Sequence, residues 1–299
     1  MLNPILAFSA TRRMRSFRTL LIAGAYTLVM LAAAVLTMFV LFREEVPMSQ
    51  LSSGVRCYSI LMILQFFLLV LIAPAMTSGA VAGERERQTL DLLLVTETRA
   101  FRLITGKVAE SLAVLALLLV CGFPAVCLTL LSGAVTLTQL LIGELFLLAI
   151  AFAAVSLGVL ASTLCRSTVA SGVVAYLLLI LVAVITTVPL FFAFTDEMAA
   201  VVYDQTALAR MSTGKALSMV FPTLLANPFL GLLFLLHGQT GILSSLMEYR
   251  DTGRLLCGFM LLNRVGGETV ALICTACMTA LGALLMPLSA LILRKKTGC

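Results

Sequence analysis

The sequence predicts an all-α integral membrane protein with six spanning helices, and two observations carry that prediction. Apolar residues make up 61% of the 299 positions and charged residues 11%, less than half of the roughly 25% charged residues usual in a soluble domain. The apolar residues also gather into six runs, 19–42, 57–79, 108–132, 137–164, 168–194 and 269–293, each at or above the length of about 20 residues that a helix needs to cross a bilayer. So little charge excludes a disordered chain and a nucleic-acid-binding surface, which need many polar residues or clustered basic ones.

Before the first run, Asn3 is placed to cap a helix whose first position is Pro4. Ile5, Leu6 and Phe8 give that segment an apolar side, and Arg12, Arg13, Arg15 and Arg18 suit anionic lipid headgroups. The expectation is an interfacial elbow helix; the simpler alternative is a basic flank that only sets orientation. The first run is uncharged from Thr19 to Phe42, longer than the 7 to 15 or so apolar residues of a signal peptide, and is read as an uncleaved helix.

Orientation follows from the cations. With the N-terminus cytoplasmic, thirteen of the 20 Lys and Arg fall in inner segments, including Arg85, Arg87, Arg99, Arg102 and Lys107 in the loop 80–107, Arg166, and Arg294 to Lys296. Five of the remaining seven lie in one long outer loop, 195–268, where the positive-inside rule has little force. Both termini are therefore expected inside. Within that outer loop, 216–236 is uncharged and long enough to span, but Pro222, Asn227 and Pro228 interrupt it, and the next apolar run, 255–262, is too short to cross back. We read 216–236 as a re-entrant or interfacial helix pair sheltered by protein.

Few polar residues are available for chemistry. The chain has no HExxH, no GxSxG and no GxxxxGK[ST] phosphate loop, so an intramembrane enzyme is disfavoured, and any ATP used must be bound by another chain. His237 ends the apolar outer tract and reads as an interfacial residue. The eight cysteines form no disulfide framework. Cys274 and Cys277 make a CxxC, but without a second pair or a nearby histidine they read as packing, because zinc takes four ligands. Gln65, Glu110 and Glu144 lie in or near spans, where polar groups usually face a bundle interior or a pathway. The expectation for Glu110 is an i,i+3 pair with Lys107. For Glu144, seven residues into its run, it is snorkelling to the outer interface. Spans this poor in charge suit a greasy pathway for lipid-like or amphipathic cargo.

The most informative stretch is the inner segment from Gly79 to Thr96. It reads as an amphipathic helix over 84–94, with Glu84 to Arg87 and Arg87 to Asp91 as i,i+3 and i,i+4 pairs, and Leu90, Leu93 and Leu94 as the apolar stripe. Periodicity alone fits a helix lying on the membrane surface. Here the sequence resembles the type-2 ABC transporter permeases, in the branch that carries Gly-Glu-Arg-Glu-Arg-x-Thr-Leu-[Asp/Glu]-Leu-Leu-Leu after the second helix. Gly83, Glu84, Arg85, Glu86, Arg87, Thr89, Leu90, Asp91, Leu92, Leu93 and Leu94 match. Gln88 stands where the pattern often has Gly, and Glu97 where it often has Pro. Asn3-Pro4 before a basic cluster, and Gly106-Lys107 opening the third helix, extend the likeness.

The resemblance implies a half-transporter, with the whole of 1–299 as one transmembrane permease domain. Two permease chains, identical or paralogous, would form the path, and separate ATPase subunits would bind ATP and Mg and dock on the cytoplasmic side. The 84–94 segment would be the coupling helix, with Gly83, Glu84, Arg85, Glu86, Arg87, Thr89, Leu90 and Asp91 as docking residues. The implied direction is export and the implied setting the cytoplasmic membrane of a prokaryote. The alternative is a non-transporting membrane scaffold that recruits a cytoplasmic partner through the same helix.

Overall fold

A computed structural model of the chain describes residues 17–41, 47–89, 100–203, 227–240 and 267–297. All regular structure among them is helical: α1 (Phe17–Leu41), α2 (Pro47–Thr77), the short α3 (Ala82–Glu86), α4 (Ala100–Cys127) with a 3-10 turn at Leu128–Ser132, α5 (Leu137–Leu164), α6 (Thr168–Tyr203), α7 (Pro228–Thr240) and α8 (Gly267–Thr297). Six of these, α1, α2, α4, α5, α6 and α8, are long and apolar enough to cross a membrane. They coincide with the six expected runs. Two begin eight or more residues before their apolar stretch. α2 starts at Pro47, a residue suited to the first helical position, and α4 at Ala100, so that Arg56, Arg102 and Lys107 sit on helices rather than in loops. A helix does not have to stop at the edge of the hydrocarbon.

The helix ends carry recognisable signals. Thr136 caps α5 reciprocally: its hydroxyl accepts from the Gln139 backbone N–H (3.4 Å) and the Gln139 side chain accepts from the Thr136 N–H (2.9 Å). The 3-10 turn after Pro124 closes on Gly133, whose φ of 68° is the left-handed conformation that suits glycine. Pro74 removes a rung of the α2 ladder, and in that stretch the Tyr176 hydroxyl donates to the Leu71 carbonyl at 2.7 Å.

Contacts divide the chain into two compact units. The first comprises residues 1–179 and 278–299. In it α1 packs on α2 and α4, and α5 packs on α2 and α4. α5 is the most enclosed of the six long helices and contributes a nearly continuous buried run from Ala153 to Thr163. It comes close to α2 because Gly158 carries no side chain: a Cβ there would lie 2.8 Å from Thr77 Cβ. This is the small-residue contact by which helices approach in a bilayer.

The second unit comprises residues 180–277. Asn227 caps α7, its side-chain oxygen accepting from the N–H groups of Phe229 (3.0 Å) and Leu230 (3.3 Å), and its amide donates to Thr187 Oγ1 (3.0 Å). Cys274 Sγ lies 4.0 Å from the Asn227 carbonyl. Cys274 is thus a buried packing residue and a weak donor, and neither it nor Cys277 is in a disulfide. α7 has 13 residues, about 20 Å of helix, which is short of the roughly 30 Å hydrocarbon core. The rest of the 216–236 tract, residues 216–226, lies outside the described residues.

Candidate functional site

The segment after α2 does not continue as one helix through 94. It makes a single turn, Ala82–Glu86, and stops. The Gln88 N–H bonds the Arg85 carbonyl (3.1 Å) and the Thr89 N–H bonds the Glu84 carbonyl (3.0 Å), which is the paired closure of a Schellman motif. The residue between, Gln88, has φ 56°, a left-handed conformation that costs a side-chain-bearing residue about 1–2 kcal/mol. This is where the resembled pattern often has glycine. The helix expected over 84–94 is therefore terminated at its first turn, and the Arg87 to Asp91 pair, with Leu90 to Leu94, falls outside the described residues.

The charges of this turn are spent within the chain. Glu84 accepts from Lys107 Nζ at 2.9 Å and from Thr89 Oγ1 at 3.0 Å. Lys107 also lies 3.8 Å from Glu110, the expected i,i+3 pair. Glu84 lies beyond the end of α2. Burial raises its carboxyl, but the bonds from Lys107 and Thr89 and the charge of Arg87 outweigh burial and hold it below the ordinary carboxylate value. Arg85 Nη1 donates to the Cys165 carbonyl at 2.6 Å, at the C-terminal end of α5, where carbonyls lack helical partners and the dipole favours a cation. Glu86 accepts from the Thr168 N–H at 2.9 Å and from its hydroxyl at 3.0 Å. That is the start of α6, where the dipole favours an anion. The order Glu-Arg-Glu thus meets, in turn, the Lys107 end of α4, the C-terminus of α5 and the N-terminus of α6.

One buried hydroxyl, which sequence reasoning did not single out, fixes the front of the turn. Ser162 Oγ on α5 accepts from the N–H groups of Val81 and Ala82, both at 2.9 Å, and donates to the Ser78 carbonyl at 3.0 Å. It does for α3 what an N-cap does, but from another helix. Gly83 faces Thr168, whose Cγ2 is 3.4 Å from where a Cβ would stand. Glu86, Arg87 and Gln88 form the exposed edge of the turn. Thr168 and Ser162 could have been suspected from the polar break Ser-Thr-Leu-Cys-Arg-Ser-Thr (162–168) between the fourth and fifth runs.

The remaining expected site residues stand apart. Arg12, Arg13 and Arg15, with the rest of the elbow segment up to Ser16, lie outside the described residues, and Arg18 is in the first turn of α1. Glu144 does not snorkel. Both of its oxygens accept from Gln65 Nε2, each at 3.1 Å, so the α5 carboxyl turns inward onto α2. An amide donor inside the bundle offers the carboxyl a partner that the outer end of the run does not require. Among the described residues, no three His, Cys, Asp or Glu come together to hold a metal.

A charged turn, anchored to three helices, thus follows the second of six long apolar helices among the described residues. Residues 5–233 match a family described as "ABC-2 family transporter protein", well over half of the chain. The chain belongs to the ABC-2 transporter family. It is thus a multi-pass membrane subunit of an ABC transporter, and ABC-2 permeases are membrane components that generally work with ATPase subunits. The matched region contains the anchored turn and five of the six long helices. No curated protein matches the sequence.

Proposed function

We propose that this ABC-2 permease chain pairs with a second permease chain, identical or paralogous, and is driven as an exporter by separate cytoplasmic ATPase subunits that bind ATP and Mg. In this reading the whole of 1–299 acts as one permease domain in a prokaryotic cytoplasmic membrane, with both termini inside. Residues 3–18 form the interfacial elbow on the lipid surface, and 216–236 is a re-entrant or interfacial helix pair on the outer side. The turn at 82–89 and the residues following it couple the ATPase to the spans.

One observation supports the coupling role above the others. The turn is tied by Ser162 and Arg85 to α5, by Glu84 to α4 and by Glu86 to α6, while the edge from Glu86 to Gln88 is exposed. A partner pressing on that edge moves the cytoplasmic ends of several spans together. ATP binding can then bias the path only if the docked contacts differ between its two states.

Because Glu84 and Glu86 are committed to Lys107 and Thr168, reversing them loosens the turn as well as any docking face. Arg87 is the cleaner probe. Arg87→Glu is expected to leave the protein inserted and monodisperse while weakening co-purification with its ATPase roughly tenfold, as a reversed interfacial charge does, and lowering stimulated ATP hydrolysis in parallel. Unchanged association and hydrolysis in that variant would remove the docking assignment from this turn.

A further inference from the structure

α6, which meets the anchored turn through Thr168, also reaches past it. Thr168, Gly172 and Tyr176 recur every four residues and so share one face of α6. Thr168 Cγ2 stands against the bare positions Gly79 and Gly83, 3.8 and 3.4 Å from where a Cβ would be, and a Cβ at Gly172 would lie 3.6 Å from Ser78 Cβ. Tyr176 Oη donates to the Leu71 carbonyl at 2.7 Å. Along that face α6 therefore follows the chain backwards, from the turn through the end of α2 to a residue that precedes Pro74. From Thr168 to Tyr176 is about 12 Å of helix.

Pro74 gives that reach its meaning. It has no N–H to offer the Val70 carbonyl, so α2 lacks one rung between its long first part and its last turn. Beyond the missing rung the chain is tied into one body. The Pro74 carbonyl accepts from the Ser78 N–H (2.9 Å) and from the Thr77 hydroxyl (3.3 Å), and the Ser162 hydroxyl bonds Ser78, Val81 and Ala82 together. Two bonds to α6 bracket the gap: Glu86 to Thr168 after it, and Leu71 to Tyr176 before it. A proline in a helix interior is where the helix bends. A second helix bonded on both sides of the proline restrains that bend, and an apolar span offers no water to replace the Tyr176 bond.

We propose that α6 between Thr168 and Tyr176 is a splint across Pro74, and that Tyr176 is the positioning residue through which displacement of the docking edge reaches the part of α2 before the proline. The inference rests on the coupling role proposed for the turn and adds a route to it. Without Tyr176, the turn and the end of α2 pivot together at Pro74 and the rest of α2 stays behind. The splint itself needs no partner, and is tested on the full chain alone in nanodiscs by hydrogen exchange of the Val81 and Ala82 amides. Ser162 of α5 holds those amides, so a pivot of the turn has to release them. Failure of the ATPase-docking reading shows instead in the Arg87→Glu association assay and leaves this exchange result as it is.

Tyr176→Phe removes one oxygen and leaves the backbone of α2 and α6 intact. Exchange at Val81 and Ala82 should rise about three- to tenfold, the worth of one interhelical hydrogen bond in a membrane bundle. In Pro74→Ala, which restores the rung, the same substitution should change exchange by less than about twofold. The two ends of a splint act in series. In Glu86→Ala, which frees the other end, Tyr176→Phe should likewise add less than about twofold. Unchanged exchange in monodisperse Tyr176→Phe would overturn the proposal. So would full acceleration by Tyr176→Phe in either the Pro74→Ala or the Glu86→Ala chain, since a bond that only adds to packing is indifferent to both.

Discussion

Replacing Ser162 with alanine removes one oxygen and no carbon, so it isolates the hydroxyl that holds the turn after α2. Ser162 is fully buried, and its oxygen is the acceptor for two backbone N–H groups, those of Val81 and Ala82. Losing an N-cap costs about 0.5–2 kcal/mol, and each buried donor left without a partner costs about 1–3 kcal/mol. Those two figures describe the same bonds from two sides and are not summed. Partial relaxation of the turn leaves an expected loss of about 2–4 kcal/mol. The assay is equilibrium denaturation in mixed micelles, alongside hydrogen exchange at the Val81 and Ala82 amides, whose protection should fall by more than the global stability does. Ser59→Ala is the control: Ser59 Oγ only back-bonds the Val55 carbonyl within its own helix (2.9 Å), and its removal should stay within about 0.5 kcal/mol. A Ser162→Ala chain as stable as that control, with unchanged exchange at 81 and 82, would refute the idea that α5 caps the turn.

Three further outcomes are expected. Gln88→Gly should stabilise the chain by about 0.5–1 kcal/mol in the same micelle titration, because relief of the left-handed strain exceeds the added freedom of the unfolded chain; destabilisation would place the strain elsewhere. Glu84 has a lowered carboxyl value, so its stabilising contribution is present at pH above the ordinary carboxylate value and is lost as pH falls through the lowered one. The stability difference between wild type and Glu84→Gln should accordingly be full near neutrality and close at low pH, and a difference independent of pH would mean that the Lys107 pair contributes nothing. Gly158→Ala should cost about 1–3 kcal/mol by forcing α5 off Thr77, and Gly158→Ala with Thr77→Ala should recover part of that as a measurable coupling energy; strict additivity would contradict the contact.

The six long helices were legible because the bilayer allows so little else: a run of about 20 uncharged apolar residues has few alternatives to crossing it. The end of the helix after α2 was not, since the periodicity of Leu90, Leu93 and Leu94 argued for continuity while the stop depends on one backbone angle at Gln88. The departure from glycine at that position was visible in the sequence, and its meaning was not until the closure by Thr89 was seen. The acids of the turn carried a similar ambiguity. Glu84 and Glu86 looked like a face offered to a partner, because sequence separation hides that Lys107 and Thr168 lie 23 and 82 residues away along the chain but within about 3 Å in space. Glu144 was misplaced for the same reason: no local rule connects it with Gln65, 79 residues earlier.

That separation of 79 residues has an implication for how the protein is made. A charged residue costs about 2.5–3.5 kcal/mol at the centre of an inserting helix and less toward its ends, against about 0.3–0.6 kcal/mol gained for each Leu, Ile, Phe or Val, and Glu144 stands off centre in α5. The segment that carries Glu144 is surrounded by Leu140, Leu141, Ile142, Leu145, Phe146, Leu147, Leu148 and Ile150, enough to pull the carboxyl into the bilayer without help. The helix bearing Gln65 is synthesised first, as are those bearing its neighbours Tyr26 and Gly122. The acid therefore arrives last, and the amide waits in lipid for the residue that will accept its hydrogen bond. Order of synthesis and order of satisfaction therefore agree: the helices that carry Tyr26, Gln65 and Gly122 all precede the one that carries the acid.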